Sequence, residues 1–271
     1  MDTANGSRRS SMPTVSTCTA EMASAFRIKH WAAVAPGLRD AADWIAWAGS
    51  PGAPSGEIDA PLAAMPPMQR RRVERIGRAA LQVAFDVDAM GDAPDFASRP
   101  MVFASRHGDV LRSVGLLDAL DRGEPLSPTQ FGLSVHNAVA AQYGIARAST
   151  APYSAVAGGR FSTEAGVLEA LAFLADGHDE VLLVVFDEPP PPLFERDADE
   201  PAAPFAWATR LTRGGPSDFR LTTVGQGALV AGPAPAATLP HGLEVLAFLL
   251  APQAEWAVAG EGITWQWTHG A

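Results

Sequence analysis

The chain has 271 residues, of which 47% are apolar, with a formal net charge of -10 and a modestly positive mean hydropathy. That is enough apolar material to bury a sizeable core in one large domain or two small ones, so a disordered chain is excluded. The negative charge argues against nucleic acid as a partner and against anionic membrane surfaces.

A single cysteine, Cys18, rules out an internal disulfide and leaves any folded domain beyond it without a thiol. Residues 1 to 24 are rich in Ser, Thr and Met and lack the apolar segment of a secretory signal. They read as a disordered tail, and Met22 is a candidate for the true start of translation. No later stretch reaches the roughly 18 apolar residues of a membrane span, so a cytoplasmic protein without membrane insertion is expected.

Phe26 to Val34 (FRIKHWAAV) has the character of a first strand, closed by Pro36-Gly37, and Leu38 to Trp47 follows with helical spacing. A Gly/Pro/Ser loop covers residues 49 to 56. Between Met68 and Met90, Val73, Ile76, Ala80, Val83 and Val87 step by three and four, which predicts one long amphipathic helix. Pro100 to Ser105 reads as a short buried strand, Val110 to Asp121 as a helix, and Leu126-Ser127-Pro128 as a turn before a helix from Phe131 to Tyr143.

Ala148 to Tyr153 is a further strand, Gly158-Gly159 a turn, and Ser162 is placed to cap a helix whose Val167, Leu168, Leu171 and Leu174 form one face up to Gly177. Glu180 to Phe186 (EVLLVVF) is continuously apolar, as expected of a central strand covered on both faces. The alternation implies a largely parallel α/β sheet. Residues 187 to 204, acidic and with four consecutive prolines, read as an extended surface loop. Phe205 to Leu211 and Phe219 to Val224 then look like paired strands, Leu243 to Leu250 like a helix and Gly262 to Trp267 like a last strand.

Few motifs carry chemistry. Gly225-Gln226-Gly227 follows a strand-like run, but Val230 occupies the third small position of a dinucleotide fingerprint and no βαβ unit follows. No G-x-S-x-G elbow occurs. His30, His107, His136, His178, His241 and His269 are scattered without metal-ligand spacing, so neither a metal nor a cofactor is expected. His136, early in its helix, is the one of most interest, with a hydrogen-bonded structural role as its ordinary explanation. Arg70, Arg71, Arg72, Arg75 and Arg78 could steer an acidic carrier protein or simply form a solvated helix face.

The segments MPPMQRRRVERIGRAALQVA (65 to 84), VFASRHGD (102 to 109) and LSPTQFGLSVHNAVAAQYGI (126 to 145) resemble the β-ketoacyl synthase-like N-terminal domain. More narrowly, they are similar to the short chain-length-factor-like proteins of aryl polyene and xanthomonadin-type pigment pathways. The resemblance spans roughly residues 25 to 250 and implies the amino-terminal half of a thiolase-like fold, occupying residues 25 to 271 here.

A ketosynthase holds its nucleophilic thiolate at a helix N-terminus, where backbone N–H groups favour negative charge. The matching turn, Ala155 to Ser162, contains no cysteine. The family's two catalytic histidines come from a carboxyl-terminal half for which no room is expected in this chain. The resemblance therefore implies a catalytically silent subunit, paired as a heterodimer with a full-length β-ketoacyl synthase and serving an acyl carrier protein. Phe131, Val135, His136, Val139, Ser149 and Pro152 would lie at the partner interface or line a pocket, and Arg70, Arg71, Arg72, Arg75 and Arg78 would receive the carrier protein. Two alternatives stand beside it: an acyltransferase or synthase acting through Ser162 or an unrecognised nucleophile, and a homodimeric scaffold that binds carrier protein alone.

Overall fold

The apolar run at residues 180 to 187 becomes strand β4 (Glu180–Asp187), and its alternation divides the protein into two layers. Val181, Leu183 and Val185 enter one apolar cluster, while Leu182, Val184 and Phe186 enter the other. The computed structural model describes residues 24–91, 95–197, 199–201, 203–225, 238–251, 253–260 and 262–270. The tail, Cys18 and the fingerprint-like positions from Gln226 to Val230 lie outside the described residues.

The other strands are β1 (Ser24–Val34), β2 (Met101–Ala104), β3 (Tyr153–Val156), β5 (Phe205–Arg213), β6 (Phe219–Gly225), β7 (Glu255–Ala259) and β8 (Ile263–His269). They form one sheet in the order β3-β2-β4-β5-β1-β6-β8-β7. Helices α1 (Ala41–Gly49), α7 (Ser162–Ala175) and α8 (His241–Leu250) cover one face, and α3 (Arg75–Asp88) and α6 (Ala138–Arg147) the other. The short α2 (Pro67–Arg70) and α5 (Pro128–Leu133), with α4 (Val110–Asp121), complete the α-helices among the described residues.

The α/β class and the helices on both faces match expectation, but the sheet is not largely parallel. Only β2 with β3 and β2 with β4 run parallel, and the other five pairings among the described residues are antiparallel. A parallel neighbour needs a long crossover, usually a helix. After β4 the chain offers only the proline-rich segment and a 3₁₀ turn (Pro192–Asp197), so β5 returns antiparallel.

Nor do β5 and β6 pair with each other: β1 lies between them. Both are antiparallel to β1, and Phe26 faces Arg213 on one side and Phe219 on the other. Residues 214 to 218, which resemble a hairpin turn in sequence, instead carry the chain across β1. A side chain on Gly214 would begin 2.6 Å from the Phe26 nitrogen, so the crossing requires glycine there.

Local hydrogen bonds explain the remaining differences. The long helix expected from Met68 to Met90 is α2 and α3, because Glu74 is extended and Val73 turns inward to bury itself beside Gly77. The helix expected from Phe131 to Tyr143 is α5 and α6. Ser127 caps the first, starting it early at Pro128, and the Ser134 hydroxyl bonds to the Phe131 carbonyl as it ends. The third strand begins at Tyr153, since Ala148 closes α6 in the left-handed region (φ 51°) and the Ser149 N–H donates to the Gly144 carbonyl. The acidic proline-rich segment is partly packed: Glu188 and Ala203 are buried.

One buried charge cluster ties the layers together at the amino ends of β2 and β4. Asp88, at the end of α3, accepts from Arg99 at 2.5 Å, from Arg147 at 3.2 Å and from the Tyr143 hydroxyl. Burial, the Asp88 charge and that hydrogen bond raise the phenol's pKa. The Arg147 guanidinium also sits 4.0 Å from the centre of the Phe85 ring. Asp88→Ala would leave two arginines without this carboxylate, and urea denaturation should register a loss of about 3–5 kcal/mol.

Candidate functional site

The carboxyl ends of β2, β3 and β4 point the same way, and three connections meet there. The first, residues 105 to 109, is held by Asp187 at the end of β4. Its carboxylate accepts from the Ser105 hydroxyl at 2.8 Å and from the backbone N–H groups of Arg106 and His107 at 2.9 and 3.0 Å. Burial pushes Asp187 up to about 6, against the pull of those hydrogen bonds. Gly108 has a φ of +60°, and a Cβ there would stand 2.8 Å from His136 Nδ1. His136 Nε2 in turn bonds the Val156 carbonyl at 3.2 Å, joining the first connection to β3.

The second connection is the turn into α7, where the family resemblance places a nucleophile. Ser162 is the first residue of the helix and does not cap it. Its hydroxyl accepts from the Gly158 N–H at 3.0 Å and donates to the Gly159 carbonyl at 2.7 Å, and the residue is 3% exposed. Both bonds close the turn, and no partner among the described residues acts as a base on the oxygen.

Beneath this turn lies a cluster that the sequence does not advertise. Glu164 is buried in the first turn of α7, where the helix dipole favours its charge, and Oε1 contacts His241 Nε2 at 2.8 Å and accepts from Trp267 Nε1 at 3.2 Å. His241 Nδ1 contacts Glu244 at 2.9 Å, and Arg160 of the turn donates to Glu244 at 3.3 Å. Burial disfavours charge on His241, but the hydrogen bonds and charges of the two glutamates prevail and push it up to about 9. The cluster clamps the turn to α8.

The acidic proline-rich segment is the third connection and lies as a strap over the strand ends. Arg106 pairs with Asp199 at 2.6 Å and Glu200 at 3.5 Å, and Glu200 accepts from the His241 N–H at 3.0 Å. Strap and strand ends enclose a cleft of about 360 Å³ whose apolar walls include Pro189, Phe194, Phe205 and Pro240. His107 lines it too, held below its ordinary pKa by burial and by the Arg106 charge. No group of three or more His, Cys, Asp or Glu side chains is placed to hold a metal ion among the described residues. No described helix is long and apolar enough to cross a membrane.

The sequence-selected residues separate by environment. Phe131 and Val135 are exposed (64% and 48%), as is Pro152, and Ser149 is half-buried with its hydroxyl donating to the Phe96 carbonyl. Ser149 and Pro152 lead into β3, and Val135 precedes His136, which bonds the Val156 carbonyl; the outer edge of β3 has no strand partner among the described residues. Val139 differs: it is buried in the core beside Gly77, so its side chain serves the packing of α6 on α3. Three of the five arginines are engaged within the chain. Arg70 donates to the Leu62 carbonyl, Arg78 to those of Val73 and Arg70, and Arg75 to Glu188. Arg71 and Arg72 are exposed without a side-chain partner among the described residues.

The sequence offered little route to Glu164, His241 and Glu244, because 77 residues separate the first two. A folded-state pKa raised from 6.5 to about 9 means that protonated His241 stabilises the fold fully below pH 6.5, and that this contribution is lost as pH rises through 9. Thermal melts should therefore show stability falling by about 3 kcal/mol across that window, with most of the fall absent in His241→Gln.

The model for the β-ketoacyl synthase N-terminal domain matches residues 44–268. Among solved structures, a chain from the ketosynthase (ApeO) in complex with its chain length factor (ApeC) from Xenorhabdus doucetiae aligns with a TM-score of 0.77 at 27% identity, covering 90% of this chain and 99% of that one. The ishigamide ketosynthase/chain length factor aligns at 0.58 and 17% identity over 75% of this chain and 68% of that one. A β-ketoacyl synthase from Burkholderia phymatum STM815 aligns at 0.56 and 12% identity over 78% and 66%. These last two show likeness of fold alone. No curated protein sequence matches the chain. With the match covering most of its length and the sheet and helices arranged as in these structures, the chain belongs to the β-ketoacyl synthase N-terminal domain family and has a thiolase-like ketosynthase fold.

Proposed function

We propose that the protein is a catalytically silent, chain-length-factor-like subunit that pairs with a full-length β-ketoacyl synthase in aryl polyene or related polyketide or fatty-acid-type biosynthesis. The observation that carries this reading is the turn between β3 and α7. It holds no cysteine, and the one hydroxyl within it, that of Ser162, is buried and committed to two hydrogen bonds that shape the turn. A serine without a base on its oxygen is far from ionised at neutral pH, so acyl transfer through it is disfavoured.

The exposed face around β3 supports a partner role. An edge strand with unpaired N–H and C=O groups invites pairing with another chain, and Tyr153 of that strand, like Phe131 and Val135 in and after α5, presents apolar area to water. The cleft under the strap would bound the far end of the cavity that receives the extending chain, its volume limiting how many methylenes fit. Arg71 and Arg72 are the two arginines left to attract an acidic carrier protein.

Three outcomes are expected. Co-expressed with candidate ketosynthases from its own gene neighbourhood, the chain should co-elute with one as a heterodimer and change the length of the product; a chain that stays monomeric with every one and leaves the length unchanged refutes the reading. Incubated alone with acyl-thioesters, it should gain no mass, whereas an adduct abolished in Ser162→Ala would establish the acyltransferase instead. Arg71→Glu with Arg72→Glu should weaken carrier-protein binding by roughly tenfold in low salt, measured by titration calorimetry on the heterodimer.

A further inference from the structure

Two clefts flank the start of α4, and one side chain stands between them. The first is the cleft under the strap, about 360 Å³, and the second, about 480 Å³, runs beneath α4 along Leu111, Leu116 and Ala119. Glu188, the residue after β4, lines both. Its side chain is 2% exposed and its carboxylate accepts from the Arg75 guanidinium at 3.0 Å, while Arg75, half-exposed, lines the second cleft. Val110 on the first cleft and Asp109 on the second place the boundary at the same point.

We propose that the Arg75–Glu188 ion pair is the stop that sets how far a growing acyl or polyene chain can run, which makes Glu188 a length-determining residue of this protein. The inference rests on the reading of the first cleft as the end of the chain cavity. An apolar chain end that reaches Glu188 meets a carboxylate to which it can offer no hydrogen bond. To pass, it must separate the half-exposed Arg75 from the buried Glu188 and leave that carboxylate alone in a low-dielectric site. Burying one more two-carbon unit gains less than that separation costs, so growth ends at a defined length instead of tailing off. Removing the carboxyl group joins the two clefts, and the half-exposed Arg75 can then turn to solvent without an unpaired buried charge remaining.

The test is product length, read by mass spectrometry of carrier-bound chains made by the reconstituted complex of this protein, its ketosynthase and the carrier protein. Glu188→Ala should lengthen the main product by at least one two-carbon unit, and Glu188→Asp should retain the wild-type length. Ala119→Phe, which fills the second cleft, should leave the wild-type length unchanged yet cancel the lengthening when combined with Glu188→Ala. An assembled Glu188→Ala complex with the wild-type product distribution overturns the proposal. So does shortening by Ala119→Phe alone, a result that stands even if the Glu188→Ala chain fails to fold. A wild-type chain that neither binds the ketosynthase nor alters product length removes the underlying reading itself, and the proposal with it.

Discussion

The arrangement at the carboxyl ends of the parallel strands depends on one carboxylate, that of Asp187. It ends the central strand β4 and gathers a hydroxyl and two backbone N–H groups from the connection after β2. Without it, buried donors on that connection would face no acceptor, a larger loss than the modest net value of any single hydrogen bond. Because the connection is fixed, Arg106 is fixed, and the acidic strap has a cation to close against. The cleft and its boundary at Glu188 follow from that closure.

Charge is handled differently at the two ends of the sheet. At the amino ends, Asp88 is surrounded by two guanidinium groups and a phenol, an arrangement that joins α3, α6 and the approach to β2 in one register. At the carboxyl ends, carboxylates outnumber cations, and His241 keeps a proton between Glu164 and Glu244 to compensate. The resulting clamp secures the turn into α7. The Ser162 hydroxyl in that turn is engaged in the turn's own closure.

Much of this was legible beforehand. The apolar runs at β1, β2 and β4 and the helix from Val110 to Asp121 are local patterns, and a period of two or of 3.6 residues survives whatever the chain packs against. The family resemblance was legible for the same reason, since it rests on contiguous segments. Elements failed where a particular contact overrode the periodic pattern: Val73 turns into the core and Ser134 bonds back to the Phe131 carbonyl, each interrupting an apparently continuous helix, and residues 214 to 218 look like a hairpin turn while crossing β1. Of the residues chosen as interface or pocket-lining, Phe131 and Val135 are exposed, and Val139 is buried by the close approach of α6 to α3 at Gly77.

By itself the sequence determined the alternation of strands and helices, the family, and the absence of a thiol from the turn into α7, because each of these is carried by adjacent residues. Only the tertiary structure decided the antiparallel majority of the sheet, the identity of the two free arginines, the His241 clamp and the single side chain dividing two clefts. Those features join residues far apart in the chain, 113 positions in the case of Arg75 and Glu188, and burial gives such pairs their energy only after the chain has closed around them.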